Sequence, residues 1–226
     1  MTDWINIIIT YFPDLLDGLL VSVKLTLMGL GLGAVIGLPV ALARVYGGKW
    51  LRRIAIGYTE VFRGTPLLVQ LFVIYFGLPD LGITFSRTTA ALLALGFNSG
   101  AYQAEYFRGA IQAIGSGQMV AARSIGMSRL KAIRHIILPQ ALRIVIPSWS
   151  NEPISLLKAS AVVFIIAVPD LMTEAKLIIS RIYQPIGIYI YVAIFYLTIV
   201  MLLSAFISII ERRLRIPGLE IDTARR

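Results

Sequence analysis

The sequence predicts an all-α integral membrane protein built as one domain, residues 1–226, with five transmembrane helices, the N-terminus outside and the C-terminus cytoplasmic. Three observations predict it. The chain is 58% hydrophobic and only 15% charged, with a mean hydropathy of +0.81, more apolar residue than a soluble core of this length requires. Several stretches reach the roughly 20 predominantly apolar residues that one helical crossing takes. Lysine and arginine gather in a few places, which orients the crossings. The alternating pattern of a membrane β-barrel is absent.

The elements follow in order. Residues 4–16, with Trp4, Tyr11 and Phe12, read as an interfacial segment. Asp3, Asp14 and Asp17 precede the first base, Lys24, so no cleavable signal peptide is expected. The first span, about 20–43, contains "GLGLGAVIGLP", in which Gly29, Gly33 and Gly37 fall four apart, the spacing of a close-packing helix face. The same glycines match a loose dinucleotide fingerprint, but no strand precedes them and they lie mid-membrane. The second and third spans are read at about 54–78 and 88–114, the fourth at about 138–160 and the fifth at about 186–210. Between the last two, "AVVFIIAV" ends at Pro169 and Asp170 and is too short to cross, so 161–179 reads as a re-entrant or outer-surface helix.

Orientation comes from the bases. Arg44, Lys49, Arg52 and Arg53 lie in the 44–53 loop; Arg123, Arg129, Lys131 and Arg134 lie in 116–136; Arg212, Arg213, Arg215, Arg225 and Arg226 lie in the tail. Only Arg87, Lys176 and Arg181 fall on the other side, so the basic loops and tail belong in the cytoplasm. The formal charge of +9 thereby records topology, and nucleic acid is not an expected partner. The chain has no cysteine, which excludes disulfides and cysteine-ligated metal. Its single histidine, His135, reads as a surface residue, and no metal constellation exists.

The most informative stretch is "MVAARSIGMSRLKAIRHIILPQALR", residues 119–143. Ser116 is a plausible N-cap, Gly126 suits a helix C-terminus, and Ser128 can cap a second helix running into span four. Two short helices with a glycine corner are expected. A basic segment on one side of a bilayer is ordinarily a membrane-surface helix. Here the apolar face holds Ala121, Ala122 and Ile125, and a small knob with a rigid corner better fits a groove in another protein.

This loop resembles the "EAA" coupling loop of ABC-importer permeases: Glu-Ala-Ala, three residues, Gly, nine residues, then Ile-x-Leu-Pro. The chain has Ala121 and Ala122, three residues, Gly126, nine residues, then Ile136, Ile137, Leu138 and Pro139. Val120 stands where the family has Glu. The stretches "EVFRGTPLLVQLF" (60–72), "AYQAEYFRGAI" (101–111), "GQMVAARSIGMS" (117–128), "LPQALR" (138–143) and "SLLKASAVVFIIAVPDL" (155–171) are similar to segments of the polar amino-acid uptake permeases. The resemblance implies a multi-pass subunit in the cytoplasmic membrane of a prokaryote. Its implied partners are an ATP-binding-cassette ATPase, a second permease (the same or a related chain), an extracellular or periplasmic binding protein, an amino-acid substrate and membrane lipid. It implies that Ala121, Ala122, Arg123, Gly126, Met127 and Ser128 engage the ATPase. The chain has no G-x-x-x-x-G-K-[ST] loop, so it is expected to bind no cofactor and to leave ATP to its partner. An ion-gradient-driven transporter would show an internal repeat with paired broken helices, and an intramembrane enzyme HExxH or GxSxG; neither signature is found.

Ionisable residues inside spans point to function. Glu60 with Arg63, and Glu105 with Arg108, are spaced to neutralise themselves along one helix. Glu152 has no base within one turn, and Pro147 and Pro153 flank it, so its helix is expected to bend. Asn98, Tyr102 and Glu105 share one face of span three by their i, i+4, i+7 spacing. A substrate site is expected where that face meets Glu152, with Ser99 and Ser155 adding hydrogen bonds and Glu152 on a substrate ammonium or cationic side chain. The alternative is that Glu152 pairs with a base on another helix. Ala159, one face with Glu152, stands where relatives are often acidic or amidic, which argues against a strongly basic substrate.

Overall fold

The structure, a computed structural model, describes residues 4–214, and every element among them is helical. The bases Arg215, Arg225 and Arg226 and residues 1–3 lie outside the described residues, as does the side chain of Arg212.

Helix α1 runs unbroken from Trp4 to Tyr46. Residues 4–16 are continuous with the first span and do not form a helix of their own. Tyr11, Leu15 and Leu19 pack against later elements and carry the helix through Pro13, so tertiary contact offsets the backbone hydrogen bond that proline cannot donate. At 1.5 Å per residue α1 is about 65 Å long, about twice the roughly 30 Å apolar core of a bilayer. Helix α2 covers Lys49–Gly64 and α3 covers Leu67–Phe72, continued by a π-turn to Gly77 and a 3-10 turn to Leu81. The straight span expected over 54–78 is instead bent by 107° between α2 and the Leu67–Leu81 arm. Pro66 is the cause: it pushes the preceding residue out of the helical region, and Thr65 sits at φ −117°, ψ 146°.

Helix α4, Arg87–Ala113, coincides with the third span to within a residue and starts on a Ser86 cap that accepts from the Thr89 amide at 3.2 Å. Helices α5 (Ser116–Ser124) and α6 (Arg129–Ala132) form the loop and pass through a π-turn into α7 (Leu138–Trp149). The fourth span is divided at Ser150 into α7 and α8 (Asn151–Ser160), with Ser150 itself in the right-handed helical region. A 3-10 turn over Ala161–Ile166 ends at Ala167, left-handed at φ 54°, and α9 (Leu171–Ile182) follows on an Asp170 cap. Helix α10, Pro185–Leu214, closes the described chain with mostly exposed apolar side chains. Taken singly, two described helices are long and apolar enough to cross a membrane, Ile9–Tyr46 and Pro185–Glu211; two bent pairs, 49–81 and 151–182, pass together. The chain is an all-helical, multi-pass membrane protein.

Helices α1 and α4 pack side by side and run parallel. Gly29, Gly33 and Gly37 make this possible: a Cβ on Gly33 would lie 2.5 Å from Gln103 Nε2, 2.9 Å from Ser99 Oγ and 3.0 Å from the Gly100 amide nitrogen. A Cβ on Gly37 would lie 2.9 Å from the Gly100 carbonyl oxygen. The glycine face expected from the spacing is therefore the central helix contact, and the dinucleotide match falls away. Three apolar clusters lie along this pair. Ala41, Phe107, Ile111, Ile137 and Ala141 hold the end that carries the basic loops, where Arg129 lies 5.3 Å from the Tyr46 ring centroid. Leu25, Leu95 and Leu156 lie in the middle, and Leu15, Leu171, Ile178 and Ile188 at the far end.

Gly33→Ala is expected to destabilise the protein by about 1–3 kcal/mol, because the new methyl group displaces Gln103 Nε2 and Ser99 Oγ from the hydrogen bonds that hold them, with the Gly100 backbone close behind. Gly31→Ala, where a Cβ meets nothing within 4 Å, is the control and should leave stability unchanged or slightly higher. Thermal unfolding in detergent measures both; equal unfolding temperatures would refute the packing argument.

Candidate functional sites: a buried carboxylate and a cornered loop

Ser99, Gln103 and Tyr106 follow one another at i, i+4, i+7 on α4, and that face meets α8. Ser99 Oγ donates to Glu152 Oε1 at 2.7 Å, and the Tyr106 side chain lies beside this carboxylate. Gln103 holds Ser99 in place: its Nε2 donates to Ser99 Oγ at 3.0 Å and to the Leu30 carbonyl at 2.9 Å, and its Oε1 accepts from Trp149 Nε1 at 2.9 Å. Glu152 is only 4% exposed. Among the described residues no base forms an ion pair with it. A buried carboxylate with hydrogen bonds and no cation is an energetically open arrangement, and a bound cationic group would complete it. Ser155 lies on the exposed side of α8.

Asn98, Tyr102 and Glu105 lie on the next phase of α4 and serve a different neighbour. Asn98 Nδ2 donates at 3.1 Å both to the Phe62 carbonyl and to Gln70 Oε1. Gln70 Nε2 reaches Phe62 O at 2.8 Å and Thr65 O at 3.0 Å, so this amide pair satisfies carbonyls freed at the α2–α3 break. The Tyr102 ring carries the Arg63 guanidinium 5.4 Å from its centroid. Glu105 is held by Arg44 on one oxygen and by Arg108 on the other, at 2.7 and 2.9 Å, with Arg63 at 3.8 Å. Arg44 also donates to Thr59 Oγ1 at 2.6 Å. The structure thus joins Ser99 to Glu152 and directs Asn98, Tyr102 and Glu105 toward α2. The Glu105–Arg108 pair forms as spaced; Glu60 and Arg63 do not pair. Gln103, Tyr106 and Trp149 surround Glu152 and Ser99 without having been expected there. Their signal was present as a second i, i+4, i+7 set beginning at Ser99.

The loop is a cornered helix pair. Gly115, not Ser116, precedes α5, and Ser116 is the helix's first residue without a side-chain cap. The serine is displaced because Gly115 takes the sharp turn out of α4, at φ 27°. The C-terminus is a Schellman motif: Met127 N donates to Ala122 O at 3.1 Å and Gly126 N to Arg123 O at 3.0 Å, with Gly126 at φ 86°. Arg123 Nη1 braces the corner from Met127 O at 3.2 Å, and Ser128 Oγ caps α6 by accepting from Lys131 N at 3.3 Å. Ala122 faces the body of the protein, whereas Val120, Ala121, Ile125 and Leu130 face outward. Val120 therefore presents an apolar side chain at the knob. His135 is a surface residue whose Nδ1 lies 3.0 Å from Lys131 O, and no group of three His, Cys, Asp or Glu able to hold a metal exists among the described residues.

Comparison with known proteins agrees with this architecture. Residues 29–216 match the family described as "Binding-protein-dependent transport system inner membrane component". A probable amino-acid ABC transporter permease of Bacillus subtilis, YckA, is 40% identical over 202 residues, covering 89% of each chain. The glutamine transport system permease GlnP of Escherichia coli K12 is 38% identical over 218 residues, 95% of this chain and 98% of its own. A crystal structure described as an amino acid ABC transporter with histidines superposes with a TM-score of 0.86 at 40% identity, over 94% of this chain and 99% of the other. The inward-facing MetNI methionine ABC transporter shares the fold at 21% identity, with a TM-score of 0.77 over 92% of this chain and 99% of its own. The resemblance read from the loop spacing is met, and an ion-gradient-driven carrier is set aside. The chain belongs to the binding-protein-dependent transport system inner membrane components, the permease subunits of ABC importers.

Proposed function

We propose that this permease passes polar amino acids across the cytoplasmic membrane of a prokaryote, taking them from an external binding protein and driven by a separate ATP-binding-cassette ATPase. The single observation that carries the reading is the Schellman-cornered loop at 116–137, a rigid knob with outward apolar residues at the end that bears the basic loops. The names of the relatives support amino acids as the cargo. Five crossings with the N-terminus outside and the C-terminus in the cytoplasm account for the separation of bases, with the two bent pairs each counted as part of a crossing. A second permease copy, this chain or a related one, completes the translocation path. Glu152, with Ser99 and Tyr106, receives the substrate's cationic group once α8 parts from α4, and Glu105 fixes α1, α2 and α4 around it. No cofactor is bound by this chain.

The chain purified alone is expected to show no ATP hydrolysis, since it lacks a phosphate-cradling loop. Reconstituted in liposomes with its ATPase and binding protein, it should accumulate an amino acid only when ATP is present. Hydrolysis by the isolated chain, or accumulation without ATP, would overturn the reading.

A further inference from the structure

Glu60 and Arg63 lie one turn apart on the exposed face of α2; Glu60 has no partner among the described residues and Arg63 has only a long ion pair and a ring contact. Glu60 makes no hydrogen bond and no ion pair among the described residues. Arg63, its side chain 40% exposed, donates no hydrogen bond; it approaches Glu105 only to 3.8 Å and rests on the Tyr102 ring. Glu105 is already held by Arg44 and Arg108, so three guanidinium groups share one carboxylate and positive charge is left over on Arg63. Glu60 stands about 16 Å along the helix from Lys49 at 1.5 Å per residue, deep within a crossing if α2 runs inward from its basic end. Unpaired charge there is costly, and such residues face protein or water rather than lipid. The same face is open to close approach. A Cβ on Gly57 or Gly64 meets nothing within 4 Å, and Val61 between them is 58% exposed.

We propose that two copies of this chain meet along α2, with Glu60 of each copy paired to Arg63 of the partner subunit. A twofold axis makes the pairing reciprocal: each copy offers one unpaired carboxylate and one guanidinium that donates no hydrogen bond on one face, and the other copy offers the complement. The glycines at 57 and 64 let the backbones approach, as small residues do in membrane interfaces. The proposal rests on the reading that a second permease copy is present and names the surface that copy occupies.

The test is a charge exchange between two chains, assembled with the ATPase. Glu60→Lys in both copies sets lysine against arginine, and Arg63→Glu in both copies sets glutamate against glutamate. Each should lower the recovered dimer about tenfold, measured by mass in detergent. When the two variants are co-expressed with different tags, the mixed dimer carries only complementary pairs and should recover to near the wild-type yield. An ion pair internal to one chain predicts no such recovery. A milder readout uses the absence of cysteine from the chain. Gly57→Cys should yield a disulfide-linked dimer on oxidation, while Leu197→Cys on the exposed side of α10 should not. Single variants that dimerise normally, mixed pairs that do not recover, or an inserted, dimeric Gly57→Cys protein that fails to cross-link would each overturn this interface while leaving a dimer by another face. A wild-type complex with one copy of this chain would overturn the self-paired reading as well.

Discussion

Gly126→Val is expected to cut ATP-driven uptake about tenfold or more while the chain still inserts and folds. Gly126 sits at φ 86°, the C′ position of the Schellman corner that joins α5 to α6. A β-branched residue there is strained by about 1–3 kcal/mol, and one unit of about 1.4 kcal/mol is tenfold in any equilibrium that needs the corner formed. The strain is relieved by opening the two hydrogen bonds that the Met127 and Gly126 amides donate to the Ala122 and Arg123 carbonyls, which unlocks the knob from the body of the protein. No Cβ contact is lost or forced, since nothing lies within 4 Å of that position, so stability of the membrane core should not change. Gly126→Asn is the matched control, because asparagine tolerates left-handed backbone and should retain most of the uptake. The measurement is uptake and ATPase rate in liposomes beside a cross-linking assay for ATPase docking. Normal uptake by the valine variant would remove the loop from force transmission.

Glu152→Gln is expected to lower uptake by roughly one to two orders of magnitude while ATPase activity persists. The substitution keeps shape and the Ser99 contact but removes the carboxylate at the junction of α4 and α8. A hydrogen bond to a charged partner contributes about 1.5–3 kcal/mol, which converts to that range in apparent affinity. A raised KM for transport with intact assembly is the signature of lost substrate contact. Failure of the complex to assemble would instead make Glu152 a structural group. Ser99→Ala serves beside it: loss of one donor to a carboxylate should weaken uptake several-fold without abolishing it.

Much of the loop was legible because its interactions are local. The left-handed glycine, the Ser128 cap and the bonds that close the corner all connect residues within six of one another, and each has a sequence signature. Ser116 was misread for the same local reason: a serine is a good cap, but Gly115 alone can turn out of α4 at positive φ. The α4 face that meets Glu152 lies one phase away from the face formed by Asn98, Tyr102 and Glu105. Asn98, Tyr102 and Glu105 repeat at i, i+4, i+7, and so do Ser99, Gln103 and Tyr106. Spacing identifies helix faces but cannot rank two that are neighbours.

From the sequence alone came the membrane class, the glycine face of α1 and the coupling-loop spacing, all of which rest on composition or on contacts within a turn or two. Tertiary structure alone decided which α4 face meets Glu152. Gly33 has no Cβ, and the space it leaves is filled by Gln103 Nε2 and Ser99 Oγ, which turns that phase of α4 toward α1 and α8. The other phase is then left to hold the broken α2–α3 backbone and to gather Arg44, Arg63 and Arg108 around Glu105. Those partners lie 28 to 61 positions apart along the chain wherever they belong to different helices, beyond the reach of any local pattern.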